Sequence, residues 1–275
     1  MQTIVAPTNF SDVSLNAVNY AADLACVIGA NLSLIHVCQL PVAISEVPVS
    51  EYSIEELVSD AEKRMAQLKE EILFRTGERI KVSTEVREGE VIRELEEYCS
   101  SVSTYAVVIG TEGAGAFERT LFGGKAIGLL RQLVRPLIIV PPGVKFAGIR
   151  KIGLACDLNE VIDTIPIDEI KSIVTDMHAD FHVLHINTEK EEALNTERME
   201  ELRWLREILD GLLPKYHFLK DTDIEKGIAD FAEKNNLDLL IVIPKKHGFL
   251  GSFLHHSHSK RLVLHTHVPI MAIHE

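Results

Sequence analysis

Ala30-Asn31-Leu32-Ser33-Leu34-Ile35-His36-Val37 returns, almost position for position, as Ala179-Asp180-Phe181-His182-Val183-Leu184-His185-Ile186. Both copies are short apolar runs closing on histidine and a β-branched residue, the composition of a strand buried on both faces. Two further correspondences flank them in the same order. Ala6-Pro7-Thr8-Asn9 matches Leu154-Ala155-Cys156-Asp157, and Arg135-Pro136-Leu137-Ile138-Ile139-Val140 matches Val268-Pro269-Ile270-Met271-Ala272-Ile273. Three matched segments in one order mean a duplicated domain, at a spacing far beyond the ~20–50 residues of a solenoid repeat. A chain of 275 residues is long enough for two domains, each with its own core. The expected boundary is the Pro141-Pro142-Gly143 segment leading to Gly148, giving domains 1–146 and 147–275.

Within each half, β-rich runs alternate with helical patterns. In the first, strands are expected over 3–6, 32–38, 80–86, 105–109 and 137–140, alternating with helices over 14–28, 54–75, 90–99 and 126–134. Ser11 and Asp12 are capping candidates for the first helix. In the second, strands over 152–155, 181–186, 216–219, 239–243 and 270–273 alternate with four helices. These are one ending at Met177, a charged one over 189–213, one ending at Lys234, and one before the final strand. Such alternation requires parallel pairing through crossovers. The fold class is therefore α/β, two tandem doubly wound domains with helix-covered, five-stranded parallel sheets.

Composition narrows the function. Hydrophobic residues at 46% and charged residues at 25% describe an ordinary globular chain. No apolar run reaches membrane-spanning length, and Met1 leads straight into the first strand, so neither a membrane segment nor a signal peptide is expected. A formal net charge of −13 discourages nonspecific contact with nucleic acid or anionic lipid. Cys26, Cys38, Cys99 and Cys156 form no C-x-x-C pair, which points to buried thiols in a reducing cytoplasm.

The chemistry concentrates at one junction. Gly110-Thr111-Glu112-Gly113 follows the apolar run 106–109, and after nine residues Gly123-Gly124-Lys125 opens a helical pattern. Glycines between a strand and a helix let backbone N–H groups approach a phosphate, and the helix N-terminus favours the negative charge. Glycines there also serve as plain tight turns. The second half carries Pro244, His247, His256 and Ser257 at the matching places, so no cradle is expected there.

Ile4-Val5-Ala6-Pro7-Thr8-Asn9-Phe10-Ser11, the closing Ile35-His36-Val37 and the spacing of Gly110, Gly113 and Gly123 together resemble the universal stress protein family. The resemblance covers essentially the whole chain as a tandem of two such domains. It implies a Rossmann-like, adenine nucleotide alpha hydrolase-like fold and binding of ATP or ADP in the first domain. The implied nucleotide-binding set is Pro7, Thr8, Asn9, Val37, Gly110, Gly113, Gly123 and Gly124, and Lys125 is added to it on its charge rather than on the resemblance. Two positions depart from the family pattern. Asn9 stands where ATP-binding relatives carry an Asp that contacts the adenosine portion, and Gly124 stands where a Ser or Thr offers a hydroxyl to phosphate. Lys125 is read as a compensating charge. The resemblance also implies that the last strands of the two halves, each an apolar edge in need of cover, pair antiparallel within the chain. Further self-association as a homodimer is compatible with it.

Other chemistries fail on the residues. Phe122-Gly123-Gly124-Lys125-Ala126 is no Walker A sequence, and the turn from Pro7 to Asp12 lacks the glycines of a dinucleotide fingerprint. No catalytic constellation is present, so the chain is read as a non-enzyme; were ATP slowly hydrolysed, Glu112 would be placed to position water. Seven of the twelve histidines lie from His247 onward, and the i, i+3 spacing of His255 and His258 would put them on one face if the segment is helical. Without a nearby Cys or acidic residue they are weak metal candidates, and a polar surface is the better reading. The favoured function is a cytoplasmic stress-response protein that senses an adenine nucleotide or regulates through it. The alternative is a nucleotide-free scaffold acting by protein–protein contacts.

Overall fold

Strand β1 (Thr3–Pro7) is buried at every position, and the chain turns sharply out of it into helix α1 (Asp12–Ile28). The turn starts where the sequence supplies a cap: Ser11, at φ −75 and ψ 156, accepts a hydrogen bond from the Ser14 N–H. The helix stops at Gly29, whose φ of 67 only a residue without Cβ adopts freely. Between them Ala17, Ala21, Ala22 and Ala25 are fully buried, small enough to seat α1 directly on the sheet beside Val18 and Leu24. The computed structural model describes residues 1–39, 51–111, 129, 133–158, 160–187, 196–244 and 266–274. The chain divides into two units, Met1–Gly110 and Thr111–Glu275.

In the first unit, β2 (Asn31–Cys38), α2 (Glu51–Thr76), β3 (Val82–Glu88), α3 (Val91–Ser101) and β4 (Thr104–Gly110) follow. Four strands pair in the order β3-β2-β1-β4, all parallel. Helix α2 buries Ala61, Met65, Leu68 and Ile72, one stripe at helical spacing, against β2 and β3. Helix α3 begins where the Glu90 carboxylate accepts from the Arg93 N–H and buries Leu95, Tyr98 and Cys99. The Tyr98 hydroxyl lies 2.7 Å from the Ser33 hydroxyl of β2, which is fully buried. Tyr98→Phe should therefore cost about 1–2 kcal/mol in urea unfolding by leaving Ser33 Oγ unmet, and adding Ser33→Ala should restore most of it.

The second unit comprises β5 (Leu137–Val140), β6 (Lys151–Ala155), α4 (Val161–Thr164), α5 (Ile167–Met177), β7 (Asp180–Asn187) and α6 (Thr196–Leu209). A 3-10 turn at Asp210–Leu212, β8 (Lys215–Lys220), α7 (Ile224–Lys234), β9 (Leu239–Val242) and β10 (Ile270–Ala272) complete it. Here β10-β9-β6-β7-β8 form a five-stranded parallel sheet. Its core gathers Leu184, Ile186, Ile228, Phe231, Leu240 and Ile270 between the sheet and α7.

Strand β5 closes the first half of the repeat and lies in the second unit antiparallel to β10, with Ile270 opposite Ile139 and Ala272 opposite Leu137, the pairing expected of the two last strands. Both strands are apolar and fully buried, so each needs a hydrogen-bonded neighbour on its open edge, and they supply it to each other. The helix expected to run unbroken to Met177 is two, because Pro166 has no N–H and holds Ile165 extended at φ −90 and ψ 115. Strand β3 sits two residues later than expected, and Ile80 lies in the preceding connection.

Candidate functional site

In the first unit β1 is flanked by β2 on one side and β4 on the other, so successive crossovers leave it in opposite directions. A parallel sheet opens a crevice at the carboxyl ends of its strands where this reversal occurs. Pro7-Thr8-Asn9, His36-Val37 and Gly110 stand at those three ends.

The exit from β1 is tightly built. Pro7 still pairs with Ile35, and the Thr8 N–H donates to the Ile35 carbonyl at 2.8 Å. The Thr8 hydroxyl is 4% exposed, accepts from the Phe10 N–H at 2.9 Å and lies 3.0 Å from the Ser14 hydroxyl, so its bonds are used within the turn. Asn9 is exposed, and its Oδ1 accepts from the Ser11 N–H at 3.1 Å and the Ser11 hydroxyl at 2.7 Å. Phe10 follows in the left-handed region at φ 63, a conformation that a bulky residue holds only when its surroundings fix it. Its ring lies 4.8 Å from the His36 ring, and the Arg64 guanidinium of α2 sits 4.0 Å above it.

The edge of β2 is open at this end. The Ile35 carbonyl faces β1, since it accepts from Thr8, and the Cys38 carbonyl faces β3, since it accepts from the Gly89 N–H at 3.1 Å. Backbone groups alternate sides along a strand, so Val37 turns its N–H and C=O toward the β1 side, past the point where β1 has ended. His36 fixes the neighbouring corner. Its Nδ1 is 2.8 Å from the Thr8 carbonyl, which can only accept, so Nδ1 carries the proton. Burial pushes the imidazole below its ordinary pKa, against the raising pull of that carbonyl, and Arg64 lowers it further. On the far side, a Cβ at Gly110 would meet the Val13 carbonyl oxygen at 2.5 Å, so only glycine lets α1 start this close to the end of β4.

The second unit repeats the core of this turn. The Cys156 N–H donates to the Leu184 carbonyl at 2.9 Å, the Leu158 N–H reaches Cys156 Sγ at 3.4 Å, and Leu158 is left-handed at φ 53. His185 Nδ1 lies 2.9 Å from the Cys156 carbonyl, as His36 does from Thr8. The matched histidines thus pin the strand exit in both copies. The differences are chemical: Asp157 replaces Asn9, Leu158 replaces Phe10, and β9 leads into Pro244.

Of the residues implied by the sequence, Pro7, Thr8, Asn9, Val37 and Gly110 come together at the strand ends. Gly113, Gly123, Gly124, Lys125, Glu112, His255 and His258 lie outside the described residues. Among the described residues no cluster of three or more His, Cys, Asp or Glu is arranged to hold a metal, and no helix is long and apolar enough to cross a membrane. Sequence reasoning missed Arg64, which reads as one more charge on a solvated helix; its ring partner is 54 positions away, beyond any local signal.

The universal stress protein family model matches residues 1–141 and again residues 150–274. The chain belongs to the universal stress protein family. A universal stress protein of Methanocaldococcus jannaschii is 32% identical over 143 residues, which is 50% of this chain and 80% of that protein. The crystal structure of a universal stress protein from Archaeoglobus fulgidus covers 99% of this chain and 98% of its own, at 18% identity and a TM-score of 0.76. A functionally unknown protein from Pseudomonas aeruginosa covers 100% of this chain and 92% of its own, at 13% identity and a TM-score of 0.56. At those identities the two structures establish a shared fold.

Proposed function

We propose that this universal stress protein is a cytoplasmic stress-response protein that binds ATP or ADP through its first domain, residues 1–146. It acts as a sensor or regulator rather than an enzyme. The carrying observation is the open backbone edge of Val37 at the switch point, with Gly110 at the end of the adjoining crevice. Adenine presents an acceptor nitrogen beside an amino donor, the pattern that an unpaired N–H and C=O on one strand edge can meet. Burial lowers the pKa of His36 at one side of that crevice, and Gly110 stands at the other. The second domain, residues 147–275, keeps the turn but leads β9 into Pro244, which removes a backbone donor; its role is to pair with the first and shape the molecule. Homodimerisation of the tandem unit would add a further partner surface.

Isothermal titration with ATP, ADP and AMP tests the reading. Saturable binding is expected, with Gly113→Val abolishing it. Absence of heat at millimolar nucleotide would instead support a nucleotide-free scaffold acting through protein contacts.

A further inference from the structure

The exposed amide at the end of β1 turns its donors outward, and this bears on which nucleotide fits. Asn9 Oδ1 takes two hydrogen bonds, at 3.1 Å from the Ser11 N–H and 2.7 Å from the Ser11 hydroxyl. A backbone N–H can only donate, so the amide cannot flip without setting two donors against each other. Asn9 Nδ2 is therefore fixed as the outward group on an exposed side chain, carrying two N–H donors and no acceptor. The next residue, Phe10, carries the Arg64 guanidinium 4.0 Å over its ring, and Arg64 forms no ion pair among the described residues. Stacking uses the face of the guanidinium and leaves its N–H edge available to an anion. Asp12 follows in the first turn of α1, where the helix N-terminus offsets its charge. The matched turn of the second unit holds the opposite chemistry, a carboxylate at Asp157 and an aliphatic Leu158.

In sheet order the crevice runs from the Val37 edge on β2, across Asn9 at the end of β1, to Gly110 at the end of β4. A nucleotide with its base on Val37 and its 5′-phosphates toward Gly110 places its ribose over Asn9. A carboxylate there accepts from both hydroxyls of a free ribose diol and repels a phosphate; a neutral donor with a nearby arginine does the reverse. Resting on the nucleotide reading above, we infer that the first domain selects an adenine nucleotide phosphorylated on its 2′ or 3′ oxygen over one with a free diol.

The test compares ADP with its isomers adenosine 3′,5′-bisphosphate and adenosine 2′,5′-bisphosphate, which carry the same number of phosphates. Titration calorimetry should show at least one bisphosphate binding about tenfold tighter than ADP. Asn9→Asp should remove that preference by weakening the bisphosphate, and Arg64→Met should weaken the bisphosphate more than it weakens ADP. Both side chains are exposed, and thermal melts matching the parent confirm that the variants fold. ADP binding at least as tightly as both bisphosphates, with a ratio that Asn9→Asp leaves in place, overturns the inference and spares the nucleotide reading. Failure of all three ligands to bind overturns both.

Discussion

Gly110→Ala is expected to cost about 3 kcal/mol in urea unfolding, whereas Gly153→Ala, equally buried in a strand, should cost about 1 kcal/mol. Both substitutions bring a new Cβ to 2.5 Å from its nearest neighbour, so distance alone predicts no difference. The neighbour decides. At Gly153 it is Leu237 Cδ1, the tip of a side chain that can rotate, with Leu240 Cδ1 next at 3.3 Å. At Gly110 it is the Val13 carbonyl oxygen, followed by Val13 Cγ1 at 2.7 Å and the Val13 carbonyl carbon at 3.0 Å. Moving that backbone displaces the first turn of α1, with it Ser14, and so the hydroxyl pair that closes the Thr8 turn. The damage should reach function: Gly110→Ala is expected to lose nucleotide affinity even where the protein remains folded. Equal costs for the two glycines would show that the start of α1 yields freely, and the crevice would then lack the rigidity assigned to it.

How much of this was legible in the chain depends on the range of the interaction. The duplication, the strands and the Ser11 cap are local patterns, and the structure places them within a residue or two. That Gly110 and Val37 stand at strand ends was also readable, because a strand exit is set by backbone conformation and a few neighbouring residues. Pro166 was readable in principle; an apolar helical pattern on both sides hid a break that the missing N–H makes unavoidable. What sequence could not reveal is pairing across the fold. The layering of Arg64, Phe10 and His36 joins α2, the β1 exit and β2, three elements whose contact no local pattern announces. The orientation of the Asn9 amide is legible in neither repeat nor motif, since it depends on one backbone N–H two residues on.

A contact of that long-range kind should make the protein acid-sensitive. His182 on β7 and His217 on β8 stack with their planes 8° apart, and His182 Nδ1 is 3.1 Å from His217 Nε2. Phe231 of α7 covers both, at 4.6 Å from the His217 ring and 6.5 Å from the His182 ring. Burial pushes His182 below its ordinary value of 6.5; His217, Lys215 and Lys151 add to the lowering, and Asp180 opposes it. His217 is lowered by burial and then by Lys215. A neutral pair shares one hydrogen bond, while a doubly protonated pair sets two cations in contact under an apolar ring. The unfolded chain binds protons at the ordinary value and the folded chain only at lower pH, so folding excludes protons in that interval. Stability should therefore be full above about pH 6.5 and fall as pH drops through the depressed folded values. His36 in the first unit shifts in the same sense and adds to the slope. Asp180 is held below its usual 3.8 by Lys215, so its loss belongs to a separate, more acidic range. Urea midpoints measured from about pH 7.5 down to about pH 5 should fall steadily, and His217→Gln should remove about half of the share owed to this pair. A midpoint that stays level across that range would mean that the two imidazoles take up protons without loosening α7 from the sheet.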